Sequence, residues 1–446
     1  MVRIAIENGR LLVANRLARA NILIADGKII SISRQRFAQV DARINAERRI
    51  ILPGLVDGHA HLHDPAFTRR EDFTSGSRAA AAGGVTTVIE MVLSTPVDTA
   101  ERVRSKIEAG IRGSLIDFSL HAGMMNLNNL PNIAPIASMG VRSFKTFTCK
   151  PYYADDHTLT SLLRETASHN AILNVHAEDE ETANRNFQRL TAEARRDPMA
   201  HSEWKPNIAE IRAVKKVVDL ASKTRGRLHI SHMSTAEGAK IVRNAKRRGV
   251  RVTAETCPHY LTLTRGDLRK LGPYLKVNPS LKSVRDTNSL WSALRNGTLD
   301  IVTSEHAPGE RSEKEIGWHD IWKAWGGIPT IETMLPVLLS EGVNKGRINL
   351  ADLQRVCCTN PAKIFGIYGR KGSIQPSADA DLVIVDLKMS KVVRADELHY
   401  KVGWTPYEGK KLKGWPIMTM RRGKMLFQDG QVIGEPGDAQ FLSMSF

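Results

Sequence analysis

Cysteine is scarce in this chain of 446 residues, and the four present, Cys149, Cys257, Cys357 and Cys358, form no C-x-x-C pair. Two of them are sequence neighbours that bridge poorly, so a disulfide framework is not expected and a reducing, cytoplasmic setting is. Long apolar runs are missing as well. The opening stretch MVRIAIENGRLLVANR carries charges every few residues, and nothing approaches the roughly 18–20 apolar residues of a membrane span. Neither a signal peptide nor a membrane segment is expected. Acidic residues are in deficit, 47 against 64 basic ones, for a net charge of +17. Clustered Lys and Arg would point to nucleic acid. Here the excess is spread along the chain, and its densest stretch, RNAKRRGVR at 243–251, reads as a helix end entering a strand. Nucleic acid is therefore not an expected partner; a positive field that draws anionic small molecules is the simpler use of the same charge.

What remains is an ordinary globular composition, 42% hydrophobic and 25% charged, in a chain long enough for one large core and a smaller companion. The two ends resemble each other. ANILIADGKIISISR near the start has apolar runs about an Asp26-Gly27 turn, and DADLVIVD followed by IMTMRRGKMLFQDGQVIG near the end repeats the pattern at Arg422-Gly423 and Asp429-Gly430, the signature of tight hairpins. Neither end has strands enough for its own core. Residues 1–52 and 371–446 are therefore expected to join in one β-sandwich with a tail, and residues 53–370 to form the inserted domain.

Within 53–370 short β-branched runs alternate with amphipathic stretches such as ERVRSKIEAGIR and NIAEIRAVKKVVDLASK. The runs are GLVDGHAH, VTTVIEM, LIDFSLH, VRSFKTF, AILNVHAE, RLHISH, VRVTAET and LDIVTSEH. Eight parallel strands with crossover helices close into a (β/α)₈ barrel, giving an α/β fold. An open doubly wound sheet is the runner-up, weakened because no Gly-rich phosphate loop follows the first strand.

VDGHAHLHD, residues 56–64, sets His59, His61 and His63 at alternating positions, which on a strand share one face. A lone histidine is more often structural than a ligand, and His-x-His alone does not decide. The C-terminal strand ends do. The first brings His59 and His61, the fourth Lys145, the fifth His176, the sixth His232 and the eighth Glu305 with His306, and barrel strand ends converge on one mouth. Singly, His176 reads equally as a satisfied core imidazole and Lys145 as a side chain reaching past the rim. As a set, these groups are expensive to bury unpaired. A metal ion compensates them, and imidazole with carboxylate suits Zn²⁺, with Mn²⁺ or Co²⁺ as substitutes.

Over its whole length the sequence resembles the cyclic amidohydrolases, that is hydantoinases and dihydropyrimidinases, dihydroorotases and allantoinases. The resemblance rests on PGLVDGHAHLHDP, AAAAGGVTTVIEM, GVRSFKTF, NVHAED, HISHMST, ETCPHYLTL, SEHAP, GGIPTIETMLPVLLSEGVNKGRI, CTNPAKIFG and KGSIQPSADADLVIVD, in that order. It implies a barrel with a terminal sandwich and two divalent metals, His59 and His61 on one, His176 and His232 on the other. Lys145, carboxylated by CO₂, would bridge them. A cationic ammonium would repel two metals, whereas a carbamate is an anionic bidentate ligand formed from neutral lysine. The implied reaction is hydrolysis of a cyclic amide or imide C–N bond, with a carboxylate shuttling the proton. In the family that carboxylate is the aspartate of DHAP; here SEHAP supplies Glu305, one methylene longer, as both ligand and shuttle.

The resemblance also bears on the substrate. Dihydroorotases clamp a carboxylate with an arginine, an asparagine and a histidine at positions occupied here by His63, Ser94 and Gly309, which argues against dihydroorotate. Hydantoinases place a tyrosine five residues beyond the bridging lysine, where this chain has Lys150; Tyr152 or Tyr153 would have to serve. Asn278 matches a substrate-contacting loop and offers both a donor and an acceptor; it and His63 are the expected substrate contacts. The expectation is a hydantoinase-like homo-oligomer, a dimer or tetramer. An allantoinase or dihydroorotase activity, or a non-catalytic relative kept for assembly, stands as the alternative.

Overall fold

A computed structural model describes residues 2–13 and 16–446. Met1, Ala14 and Asn15, part of the opening stretch read above, lie outside the described residues.

All eight expected barrel strands form, at Leu55–Ala60, Val85–Glu90, Asp117–Leu120, Ser143–Phe147, Ile172–His176, Arg227–Ile230, Val252–Thr256 and Ile301–Val302. Neighbours in this series pair in parallel. The third strand resumes after His121 as Ala122–Gly123 and pairs with the fourth, so it changes neighbour part-way along. The eighth differs from the sequence expectation in being regular for only two residues, because it too changes partner. Thr303 N still bonds Thr256 O of the seventh strand, but Glu305 N donates to His59 O and His61 N to His306 O. These last contacts close the ring between its first and last strands.

The first strand also stops short of the expectation. It ends at Ala60, and His63 adopts left-handed backbone with φ 58°. The strict alternation that would have placed three imidazoles on one strand face therefore fails after His61.

Crossover helices begin on polar caps directly after the strand-end loops. Thr99 caps Ala100–Gly113, Asp155 caps Asp156–Ser168, Asp179 caps Glu180–Ala192 and Thr235 caps Ala236–Arg247, each side chain accepting a first-turn backbone N–H, which satisfies donors that the helix leaves free. Their apolar faces pack with the strands in one large core holding Val88, Phe118, Phe144, Val175 and Val217. No helix is long and apolar enough to cross a membrane among the described residues.

The termini meet in one sheet of nine strands. The central strand Ile50–Pro53 lies between Arg3–Val13 from the start of the chain and Leu382–Val392 from its end. The anticipated hairpins turn at Asp26-Gly27, Arg422-Gly423 and Asp429-Gly430 with positive φ at both residues, the backbone that matches the twist of antiparallel strands. Ile6, Ile22, Ile24, Ile51, Leu382 and Ile384 form this domain's own core. The tail returns to the barrel: Leu442 N bonds Phe118 O, Met444 N bonds Gly140 O, and Leu442 and Met444 join Val56, Ile89 and Phe365 in an apolar plug.

Candidate metal centre

The strand-end residues come together. His59 and His61 ring centroids lie 5.1 Å apart, His59 and His232 5.5 Å, and His176 and His232 4.7 Å, so the four imidazoles form one patch. Glu305 reaches it despite its extra methylene, with Oε2 at 2.7 Å from His59 Nε2 and Oε1 at 3.6 Å from His61 Nε2. Glu305 itself sits in left-handed backbone, φ 50°, an uncommon state for a side-chain-bearing residue and one that concentrates at functional sites.

The ring nitrogens sort into inward and outward sets. Outward, His59 Nδ1 bonds Glu255 Oε1 at 2.5 Å, His61 Nδ1 bonds Met91 O at 2.8 Å, and His176 Nε2 bonds Glu178 Oε2 at 2.7 Å. Each of these acceptors holds a proton on the outward nitrogen and leaves the inward lone pair free, as buried metal-binding histidines require. Inward, His59 Nε2 and His61 Nε2 face Glu305, and His176 Nδ1 meets His232 Nε2 at 3.0 Å. Two imidazoles sustain that approach by sharing one proton or one cation. The donors present therefore fit a pair of divalent ions of the Zn²⁺ type.

The electrostatics agree. Burial works against protonation of His59, but Glu305 and Glu255 outweigh it and raise its pKa to about 9, so the two carboxylates favour positive charge at this position. Burial would push Glu255 and Glu305 up, yet the neighbouring imidazoles hold both well below the ordinary carboxylate range. Lys145, 2% exposed, donates to Ser231 Oγ at 2.5 Å, and Ser231 in turn bonds Asn174. Burial lowers its pKa to about 8 against the pull of Glu255 and Glu305, which favours the neutral amine that carboxylation needs.

His121 and His306 are structural. His121 bonds Ser143 Oγ and Gly58 O, and His306 bonds Glu71 and accepts from Thr330 N. His63 stands outside the ligand cluster, its ring 6.3 Å from that of His61 and 6.1 Å from Trp325. Neither ring nitrogen has a partner among the described residues, and the same holds for Asn278 Oδ1. Lys150 is solvent-facing beside Glu180. Tyr152, not the exposed Tyr153, packs inward on Phe147 at 5.2 Å, and Phe147 lies 5.5 Å from His176.

Sequence reasoning missed Glu255, the last residue but one of the seventh strand, which holds both His59 and His229; applying the strand-end rule to that strand would have found it. It also missed Glu178 and Cys149, which with His176 place donor atoms within 4.8 Å of one another. That second group already holds a cation: Lys205 Nζ lies 2.7 Å from Glu178 Oε2 and 3.6 Å from Cys149 Sγ.

The chain matches the amidohydrolase family over residues 50–426. An L-hydantoinase of Paenarthrobacter aurescens is 34% identical over 99% of this chain and 98% of that protein. An allantoinase of Rubrobacter xylanophilus is 35% identical over 94% of this chain and 92% of its own length, and a dihydroorotase of Methanosarcina acetivorans 34% identical over 100% and 96%. Among solved structures, the L-hydantoinase from Arthrobacter aurescens superposes with a TM-score of 0.96 at 33% identity, covering 99% of this chain and 100% of that one. This chain belongs to the amidohydrolase family and has its barrel-and-sandwich fold.

Proposed function

We propose that the protein is a metal-dependent hydrolase that opens the C–N bond of a neutral five- or six-membered cyclic amide or imide, in the manner of a hydantoinase or dihydropyrimidinase. The observation that carries this reading is the convergence of four inward imidazole nitrogens with Glu305 and Lys145 at one barrel mouth. His59 and His61 are assigned to one ion, His176 and His232 to the other, Lys145 as a carbamate to both, and Glu305 to the first. Two such ions, Zn²⁺ with Mn²⁺ or Co²⁺ as substitutes, supply Lewis acidity toward the ring carbonyl and acidify water. Glu305, held ionised, takes the proton of the attacking water and returns it to the departing ring nitrogen. Asn278 and His63, whose Oδ1 and ring nitrogens have no partner among the described residues, are assigned to contact the ring. Around this site we divide the chain into 1–52 and 371–446 as sandwich and tail and 53–370 as barrel, and assign a cytoplasmic homo-oligomer.

Two measurements test the reading. Glu305→Gln preserves size but removes the base, and should lower kcat on the best hydantoin by about 10²–10⁴ with metal retained; hydrolysis at the parent rate would sink the assignment. Dihydroorotate should be turned over far more slowly than a neutral ring, each missing charge-assisted contact contributing on the order of 1.5–3 kcal/mol. Comparable kcat/KM on both substrates would overturn the specificity. A parent protein that holds two metals yet hydrolyses no hydantoin, dihydropyrimidine, allantoin or cyclic imide would be the non-catalytic relative.

A further inference from the structure

Lys314 is fully buried, and no carboxylate accepts from it among the described residues. Its ammonium points at three main-chain carbonyls, Lys276 O at 3.2 Å, Trp325 O at 2.8 Å and Gly327 O at 2.9 Å. Lys276, 6% exposed, repeats the arrangement with Ile321 O at 2.7 Å, Trp322 O at 3.2 Å and Ala324 O at 2.6 Å. Burial disfavours the charge on both, lowering Lys276 to about 8 and Lys314 well below its ordinary value. Three carbonyls nevertheless call for three N–H donors, and only the ammonium has three. A buried charge kept at such cost needs a reason.

What the two lysines join supplies it. Residues 307–328 follow the eighth strand and fold back over the barrel mouth, where Ala307 N bonds Ile328 O and Trp325 Nε1 bonds Ala307 O. Trp325 lies against His63 and under the Arg70 guanidinium. Gly326 presses on Asn278 so closely that an added Cβ would stand 2.8 Å from Asn278 Nδ2. Asn278 is itself two residues from Lys276. One wall thus runs from His61 through His63 and Trp325 to Gly326 and Asn278, and its parts belong to three segments: the loop after the first strand, the 307–328 loop and the 276–279 loop.

We propose that Lys276 and Lys314 are positioning residues for the substrate, each a fixed internal cation gripped by three carbonyls that lashes the 307–328 loop to the 276–279 loop and so sets the wall of the substrate chamber. The kinetic part of this inference rests on the amidase reading above; the loop geometry does not.

Lys314→Ala leaves a space the size of propylammonium in front of three carbonyls. In the metal-loaded protein this variant should raise KM for the best hydantoin by about tenfold or more and lower kcat less, because the ring is misplaced while the metal cluster is intact. Metal content should stay at the parent value, and n-propylammonium should restore KM where tetramethylammonium, which has no N–H, does not. Hydrogen exchange reads the same device without any turnover: the amides of 311–327 should be as protected as the barrel strands in the parent, lose protection in Lys314→Ala, and regain it with n-propylammonium. An unchanged KM and unchanged exchange in the variant, or losses that the amine fails to relieve, would overturn the proposal. Should Lys314→Ala not fold, Lys276→Ala takes the same tests, and rapid exchange of 311–327 in the unmodified protein would overturn it by itself.

Discussion

Two clusters of buried charge stand at opposite ends of the barrel, and they are finished to different degrees. At the N-terminal end, Lys371 Nζ sits among Asp117 at 2.7 Å, Asp381 at 2.7 Å and Asp379 at 2.9 Å. Lys28 and Arg370 add to Asp379, and fully buried Arg421 pairs with Asp438. Here each carboxylate meets a cation from the chain itself, and the cluster bolts the third barrel strand to the sandwich. At the C-terminal end, imidazole and carboxylate lone pairs face one another; Lys205 is spent on Glu178 behind His176, and Lys145 is pushed toward neutrality. A cluster that closes on itself is structural, whereas one with inward-facing donors can accept a cation from outside, as the proposed function requires.

Exchanging one residue in each cluster should separate the two roles. The largest effect is expected from Lys145→Ala, which should remove at least one metal and take activity close to background while the melting temperature of the metal-free protein hardly moves. Short carboxylic acids should restore part of the activity by standing in for the carbamate, and full activity without them would refute the bridging assignment. Lys371→Met should do the converse. Removing one partner of a buried ion cluster costs about 3–5 kcal/mol, read in urea unfolding, yet kcat/KM of the folded fraction should equal that of the parent. A drop in kcat/KM without loss of stability would break the comparison.

Glu255→Gln should weaken metal binding by about 10–100-fold, the usual consequence of disturbing the group behind a metal-bound histidine, as measured by competition with a chelator. The smallest effect is a pH dependence. Burial opposes ionisation of Asp379, but Lys371 and its other cationic neighbours win and hold its pKa at about 2, below the ordinary 3.8. A carboxylate depressed in the folded state contributes stability above its unfolded pKa and loses it as the pH falls through the folded one. Parent and Asp379→Asn stabilities should therefore differ most near neutrality and converge between about pH 4 and pH 2. Parallel curves across that window would assign the stabilisation elsewhere.

The barrel strands and both sets of hairpins were readable because period and turn chemistry are local: an Asp-Gly pair between apolar runs needs no distant partner to be recognised. The clustering of the candidate metal residues was readable because one topological rule gathers strand ends from the whole chain. The rule was not carried to Glu255, near the end of the seventh strand, because its carboxylate serves a histidine and leaves no motif of its own. The Lys371 cluster was illegible for another reason: Lys371 and Asp117 are 254 positions apart, and nothing near either announces burial. Lys314 was hidden by its surroundings, since GERSEKEIG reads as a solvated charged helix start and only the folded loop shows its fourth charge turned inward.

The seam of the barrel sets an order of events for the chain as it is made. His59 and His61 emerge from the ribosome early, whereas Glu305, whose backbone N–H rests on His59 O, follows about 246 residues later. Until the last strand seats against the first, the imidazoles of the centre belong to separate, incompletely ringed pieces of sheet and share no focus. A growing or truncated chain that stops before 299–306 thus lacks the backbone contacts that join the first strand to the last and bring Glu305 to His59 and His61. If the proposed centre holds metal, retention of that metal would report synthesis and closure together, since it would require the two barrel strands most distant in sequence to have met.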